Sequence, residues 1–200
     1  MKHSSTRSLY AYWNERRGTR PAPERGEIEP GAIRSALGDS FILGREPAGL
    51  PTFRLAGTRV CSLFGRELKG EAFEGLWSAS DRAAIRDLIT IVGNEIAGIV
   101  AGVTATTAEG YALDLELLLL PLRHRGTSQA RQIGVLVPLI VPFWIGASPL
   151  IGLALKSHRH IGPALETSPT TPFMAAAEGG AASESWRIRH GLLVYDGGRT

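Results

Sequence analysis

From Tyr111 the chain alternates: Tyr111, Leu113, Leu115, Leu117 and Leu119 fall on one side of an extended backbone, Asp114 and Glu116 on the other. A period of two, with acids set between leucines, predicts a strand with one buried and one wet face. Upstream, Gly98 to Thr106 is rich in Val, Ile and Thr, and Ala108-Glu109-Gly110 supplies a turn. The two runs therefore read as an antiparallel hairpin. Pro121 ends or bulges the second strand, Arg123 to Ala130 reads as a polar loop, and Gln132 to Leu139 as the next strand.

Elsewhere the period is helical. Leu9, Tyr12 and Trp13 recur at i, i+3 and i+4, with Asn14 to Arg17 on the other face, and Gly18 and Pro21 close the run. So short a helix is unstable alone, and its aromatic face packs either on the chain's own core or on a partner subunit. Pro30 opens a second short helix carrying Ile33 and Leu37. Ile85, Leu88, Ile89 and Val92 define a longer one, with Ser80 as N-cap, Asp81 adding charge to the first turn and Gly93 as the stop.

Between these helices lie Phe41-Ile42-Leu43, which reads as a strand, and turn chemistry at Pro47, Gly49 and Pro51. The stretch Phe53 to Gly70 changes period. Phe53 and Leu55 share one side of a strand with Arg54 opposite; after Gly57, Val60, Leu63 and Phe64 share a helix face that Thr58 could cap and Gly65 could end. A strand breaking into a helix and then a turn at Gly70 makes a curved wall. Helices placed before a run of antiparallel strands argue for an α+β fold.

Residues 133 to 155 carry no charge, and 23 such residues are long enough to cross a bilayer. Pro138, Pro142, Pro149, Gly134, Gly146 and Gly152 oppose a continuous helix there. The run reads instead as a buried strand, a turn around Pro142 to Pro149, and an extended piece ending at Leu155. Residues 161 to 185 are dominated by Pro, Ser, Thr, Ala and Gly with little to bury, which predicts a flexible stretch. Trp186 to Tyr195 regains apolar character and is expected to dock on the body.

Composition narrows the choices. Two hundred residues suit one domain with appendages, and 44% hydrophobic with 20% charged residues are globular values. A net charge of +3, spread along the chain, is a weak footprint for nucleic acid, so no such partner is expected. Cys61 is the single cysteine, which excludes an internal disulfide and a Cys-based zinc cluster. The opening Met-Lys-His-Ser-Ser leads into no apolar segment, so a cytoplasmic location is expected.

Three phrases resemble a bacterial family of short, stand-alone PAS-domain proteins. They are Phe53 to Glu71 continuing to Leu76-Trp77, Gly110-Tyr111 through Leu117 to Leu122, and Arg131 to Leu139. The Leu9 to Trp13 helix and the closing Val194 to Arg199 are also similar to that family. The resemblance implies a PAS-like five-stranded antiparallel sheet cupped by short helices, plus an amino-terminal amphipathic helix. It divides the chain into a helical cap and linker over 1–36, a PAS-like domain over 37–140, and an extension over 141–200. It also implies that Phe53, Leu55, Leu63, Phe64, Trp77, Ile85, Leu88, Ile89, Tyr111, Leu113 and Leu115 face a common interior, either a ligand pocket or a filled core. Flavin-binding PAS photosensors carry an Asn-Cys-Arg-Phe-Leu phrase, whereas Cys61 is followed by Ser62-Leu63-Phe64. Haem-binding ones place a histidine on or near the long helix, and residues 80 to 93 contain none. Neither cofactor is expected.

Candidate chemistry is sparse. Asp114 and Glu116 share a strand face and could do acid–base work, but on a wet face they meet water. His158 and His160 could form half a metal site, yet no Cys, Asp or Glu lies close in sequence, and a solvated basic turn accounts for them; no metal is expected. No nucleophile elbow, phosphate loop or zinc-protease helix occurs. The expected function is a non-enzymatic sensory or regulatory module acting in trans through protein–protein interaction, with room for a small apolar ligand. Leu9, Tyr12 and Trp13 are its candidate partner or dimer surface. The alternatives are membrane association through residues 133 to 155, and an enzyme using Asp114/Glu116 or His158/His160.

Overall fold

The computed structural model describes residues 1–44, 49–94, 97–124, 127–162, 186–189 and 192–195. The chain divides into two compact units, Met1–Ser168 and Pro169–Thr200. In the second, strands β7 (Trp186–Arg189) and β8 (Leu192–Tyr195) pair antiparallel. The expected flexible stretch lies, from residue 163 on, outside the described residues.

The first unit is built on one antiparallel sheet. Its strands are β1 (Ser40–Gly44), β2 (Thr52–Ala56), β3 (Gly98–Thr107), β4 (Ala112–His124), β5 (Thr127–Pro138) and β6 (Leu150–Ile161). They lie in the order β2-β1-β5-β4-β3-β6. The expected five-stranded sheet is β2 through β3. The apolar run after residue 150 adds β6 at its edge and continues past Leu155, because Ser157 to Ile161 go on pairing with β3 beyond a bulge at Lys156. β4 likewise runs through Pro121, which pairs with Gln132, and the expected loop of Arg123 to Ala130 is largely strand.

Helices α3 (Thr58–Phe64) and α4 (Arg82–Asn94), with a 3₁₀ turn at Phe73–Leu76, cover one face of the sheet. Gly57 rather than Thr58 takes the N-cap position of α3, and Gly65 ends the helix with φ 63°. At α4 the Asp81 carbonyl accepts the first helical hydrogen bond, from Ile85 N–H at 2.9 Å, so Asp81 and not Ser80 holds the cap position. From this face Phe41, Leu43, Leu115, Leu117 and Leu119 pack against the helices.

The other face is not wet. Helix α1 (Ser4–Arg17) carries Leu9 and Trp13, and the 3₁₀ turn Pro30–Ile33 that leads into α2 (Arg34–Leu37) carries Ile33, onto Leu118, Leu120, Leu122, Ile133 and Val135. Glu116 is only 5% exposed beneath the start of the chain. Two-sided burial explains the unbroken Leu117-Leu118-Leu119-Leu120 run, which alternation alone does not. Each buried leucine removed from water contributes about 1.5–3 kcal/mol.

Candidate functional site

The expected interior residues divide into two groups. Phe53, Leu63, Phe64, Trp77, Ile85, Leu88, Ile89, Leu113 and Leu115 are brought together between the sheet and α3/α4. Leu55 and Tyr111 are not. A register shift between Ile42 and Leu43 pairs Leu43 with Phe53 but Ile42 with Leu55, which bulges Arg54 and turns Leu55 to the outer face, 43% exposed. Tyr111 precedes β4 and stacks on Trp144 at 5.3 Å between ring centroids. Near β1 and β2 the interior is filled by rings: Phe41, Phe53 and Phe73 lie 5.5 Å apart, and Phe73 is 5.9 Å from Trp77.

Two polar atoms interrupt this apolar interior. Gln132, on β5, donates its side-chain N–H to the carbonyl of Ile89 at 2.7 Å, yet its Oε1 is buried without a partner among the described residues. Trp77 Nε1 is buried and unpaired in the same sense. Such groups cost about 1–3 kcal/mol each unless something satisfies them. Gln132 escaped the sequence reading because it was assigned only to a strand. The signal was its parity: it shares a face with Leu136, which is buried in the helix-side core.

Cys61 packs at the rim of this interior. Its Sγ lies 3.9 Å from the Ala56 carbonyl and 3.6 Å from a Glu67 carboxylate oxygen. Burial, with the Glu67 charge adding to it against an opposing backbone hydrogen bond, pushes its thiol up.

The aromatic face of α1 faces inward. Leu9 and Trp13 are fully buried against their own sheet. Tyr12 is half-buried; its hydroxyl donates to the Glu27 carbonyl at 3.1 Å and accepts from Glu29 N–H at 3.0 Å. This corrects the expected partner surface: the unpaired apolar side of the sheet needs α1 more than α1 needs a second protein.

Both members of the acidic pair have partners. Asp114 pairs with Lys156 at 3.0 Å and accepts from the Thr104 hydroxyl at 3.2 Å, and Lys156 holds its pKa below the ordinary aspartate value. Burial opposes ionisation of Glu116. Backbone N–H groups of Lys2 and His3, at 2.6 and 3.0 Å, nevertheless hold its carboxyl below the usual range. His158 and His160 meet edge to face at 5.9 Å. Among the described residues no group of three or more metal-ligating side chains forms. Nor is any described helix long and apolar enough to cross a membrane.

What the surface offers is an apolar tip. The β5–β6 loop presents Ile140, Val141 and Phe143 at 79%, 71% and 93% exposure, while Trp144 beside them is buried. A hollow of about 270 Å³ at the base of the loop is lined by Val141 and Ile145 on one side and by His3, Ser5 and Arg59 on the other.

A family model described as a PAS domain matches residues 1–137. Among solved structures, a light-oxygen-voltage domain studied with a flavin analogue is 15% identical, with 58% of this chain and 87% of that one covered and a TM-score of 0.43. The light-state Aureochrome1 light-oxygen-voltage domain is 16% identical, covering 58% and 91% at a TM-score of 0.41. A PAS domain from Colwellia psychrerythraea is 14% identical, covering 55% and 97% at 0.41. No curated protein matches the chain.

Proposed function

The chain belongs to the PAS domain family, and from that premise we propose that it is a sensory and regulatory module that passes its signal on in trans, by protein–protein contact and without catalysis. The observation that carries this reading is the tip of Ile140, Val141 and Phe143. Apolar side chains this exposed, clustered on one loop, mark contact sites more than solvated surface. The occupant is a partner protein or a second copy. The acidic pair is engaged in holding Lys156 and the start of the chain, which fits a role other than catalysis.

In this reading the helical cap over 1–36 and the extension over 141–200 flank a PAS core of 37–140. The protein works in the cytoplasm without nucleic acid, membrane, haem, flavin or metal. Proximity labelling in cells tests it. A set of neighbours obtained with the wild type and lost with Ile140→Ser/Phe143→Ser supports partner contact, and an identical set with both overturns it. Cell fractionation tests the membrane alternative, since a carbonate-resistant pellet would overturn the soluble reading.

A small, largely apolar ligand in the interior is a second reading, favoured by the unpaired Trp77 Nε1 and Gln132 Oε1. Either atom would hold the polar end of such a molecule. Native mass spectrometry and a visible spectrum of freshly purified protein test it. A mass excess lost in Gln132→Leu supports a ligand; a bare mass overturns it, and visible absorption would overturn the cofactor-free reading.

A further inference from the structure

β6 is an edge strand. β3 pairs with it on one side, and among the described residues no strand pairs with it on the other. That outer side is already used at one end. Trp77 forms a parallel bridge with Leu153, Ser78 N–H donates to the Leu153 carbonyl at 2.9 Å, and the Asp81 carboxylate accepts from Leu155 N–H at 2.8 Å. Past this point the strand runs on as Lys156-Ser157-His158-Arg159-His160, with no acid in the run and all but His160 well exposed. The register puts Ser157 and Arg159 opposite Gly102 and Val100, on the α1 side of the sheet, and His158 and His160 on the α3/α4 side. Of the nearby carboxylates, Asp114 is engaged by Lys156, and Glu116 by the backbone of Lys2 and His3.

We propose that the edge of β6 over residues 156–161 docks an acidic, extended segment of a partner protein, which adds to the sheet in line with Trp77 and Ser78. Backbone hydrogen bonds along the open edge supply the attachment, and the exposed Arg159, with His158 on the opposite face, selects acids. A second copy is the wrong occupant, because pairing β6 with β6 sets basic side chains against basic side chains. Asp81 already performs the chemistry on a small scale, as an acid accepting an N–H from this edge. The inference rests on the reading of this protein as one that works through partner contact, but it uses a different surface from the loop tip.

The test uses the full chain and three synthetic octapeptides: alternating Thr-Glu, alternating Thr-Gln, and Thr-Glu with every second amide N-methylated. Fluorescence anisotropy at low salt should give roughly ten-fold tighter binding of the Glu peptide than of the Gln peptide. Binding should be lost on N-methylation and in Arg159→Glu, and retained in Ile140→Ser/Phe143→Ser. Equal binding of the Glu and Gln peptides, undiminished binding after N-methylation, or no binding at all overturns the proposal. None of those results touches the loop-tip reading, which stands or falls on the proximity labelling.

Discussion

Trp13 donates its indole N–H to the carbonyl of Pro121 across 2.8 Å, tying α1 to the middle of the sheet. Both groups are buried, so the bond has no water to replace it. Trp13→Phe should cost about 1–3 kcal/mol through the stranded carbonyl, and Trp13→Ala about 3–5 kcal/mol through the cavity as well. Urea unfolding measures both. A loss below half a kcal/mol for the alanine variant would mean that α1 is not part of the cooperative core.

Glu116 should give stability an acid limb. The fold favours its ionised form, so its contribution is complete above the pKa of the unfolded side chain and fades as pH falls through the lower folded value. Glu116→Gln should therefore be less stable than wild type near neutral pH and should lose less on acidification. Urea midpoints between neutral and acidic pH check this, and parallel curves would reject it.

Gly134 sits in β5 opposite Phe41 and Leu119. A Cβ there would meet Phe41 Cζ at 2.3 Å and the Leu118 carbonyl oxygen at 2.6 Å. Gly134→Ala should destabilise by about 1–3 kcal/mol, because a central strand cannot shift away without disturbing two neighbours. A thermal unfolding midpoint equal to the wild type would show that the ring simply rotates aside.

Phe143 and Trp144 are neighbours with opposite fates. Phe143→Ser should stay within about half a kcal/mol of wild type. Trp144→Ala should cost about 3–5 kcal/mol, since it empties the site under Tyr111. Equal losses in chemical unfolding would place Phe143 in the core and remove the apolar tip.

Much of this architecture was readable from spacing, because strand alternation and helix periodicity report burial directly. Leu113, Leu115, Leu117 and Leu119 fall where alternation puts them, as do Ile85, Leu88 and Ile89. Leu55 does not, because one bulged residue inverts every side chain beyond it and leaves no trace in composition. The covered face of Leu118 and Leu120 was hidden in a different way: its cover, α1, lies a hundred residues upstream, and local pattern cannot report a distant lid. The β6 edge escaped because its side chains are polar and mostly exposed, so no hydrophobic period marks it. Nor does an apolar run distinguish Phe143 from Trp144; only the loop geometry does.

The two-sided burial of the sheet has a mechanical consequence. Leu117 and Leu118 are consecutive, yet one belongs to the helix-side core and the other to the core under α1. The sheet is thus a diaphragm one backbone thick between two close-packed volumes. Interiors at this density yield little to compression. A rearrangement that swells the α3/α4 side has to bow β4 and β5 outward, and α1 is what they push against.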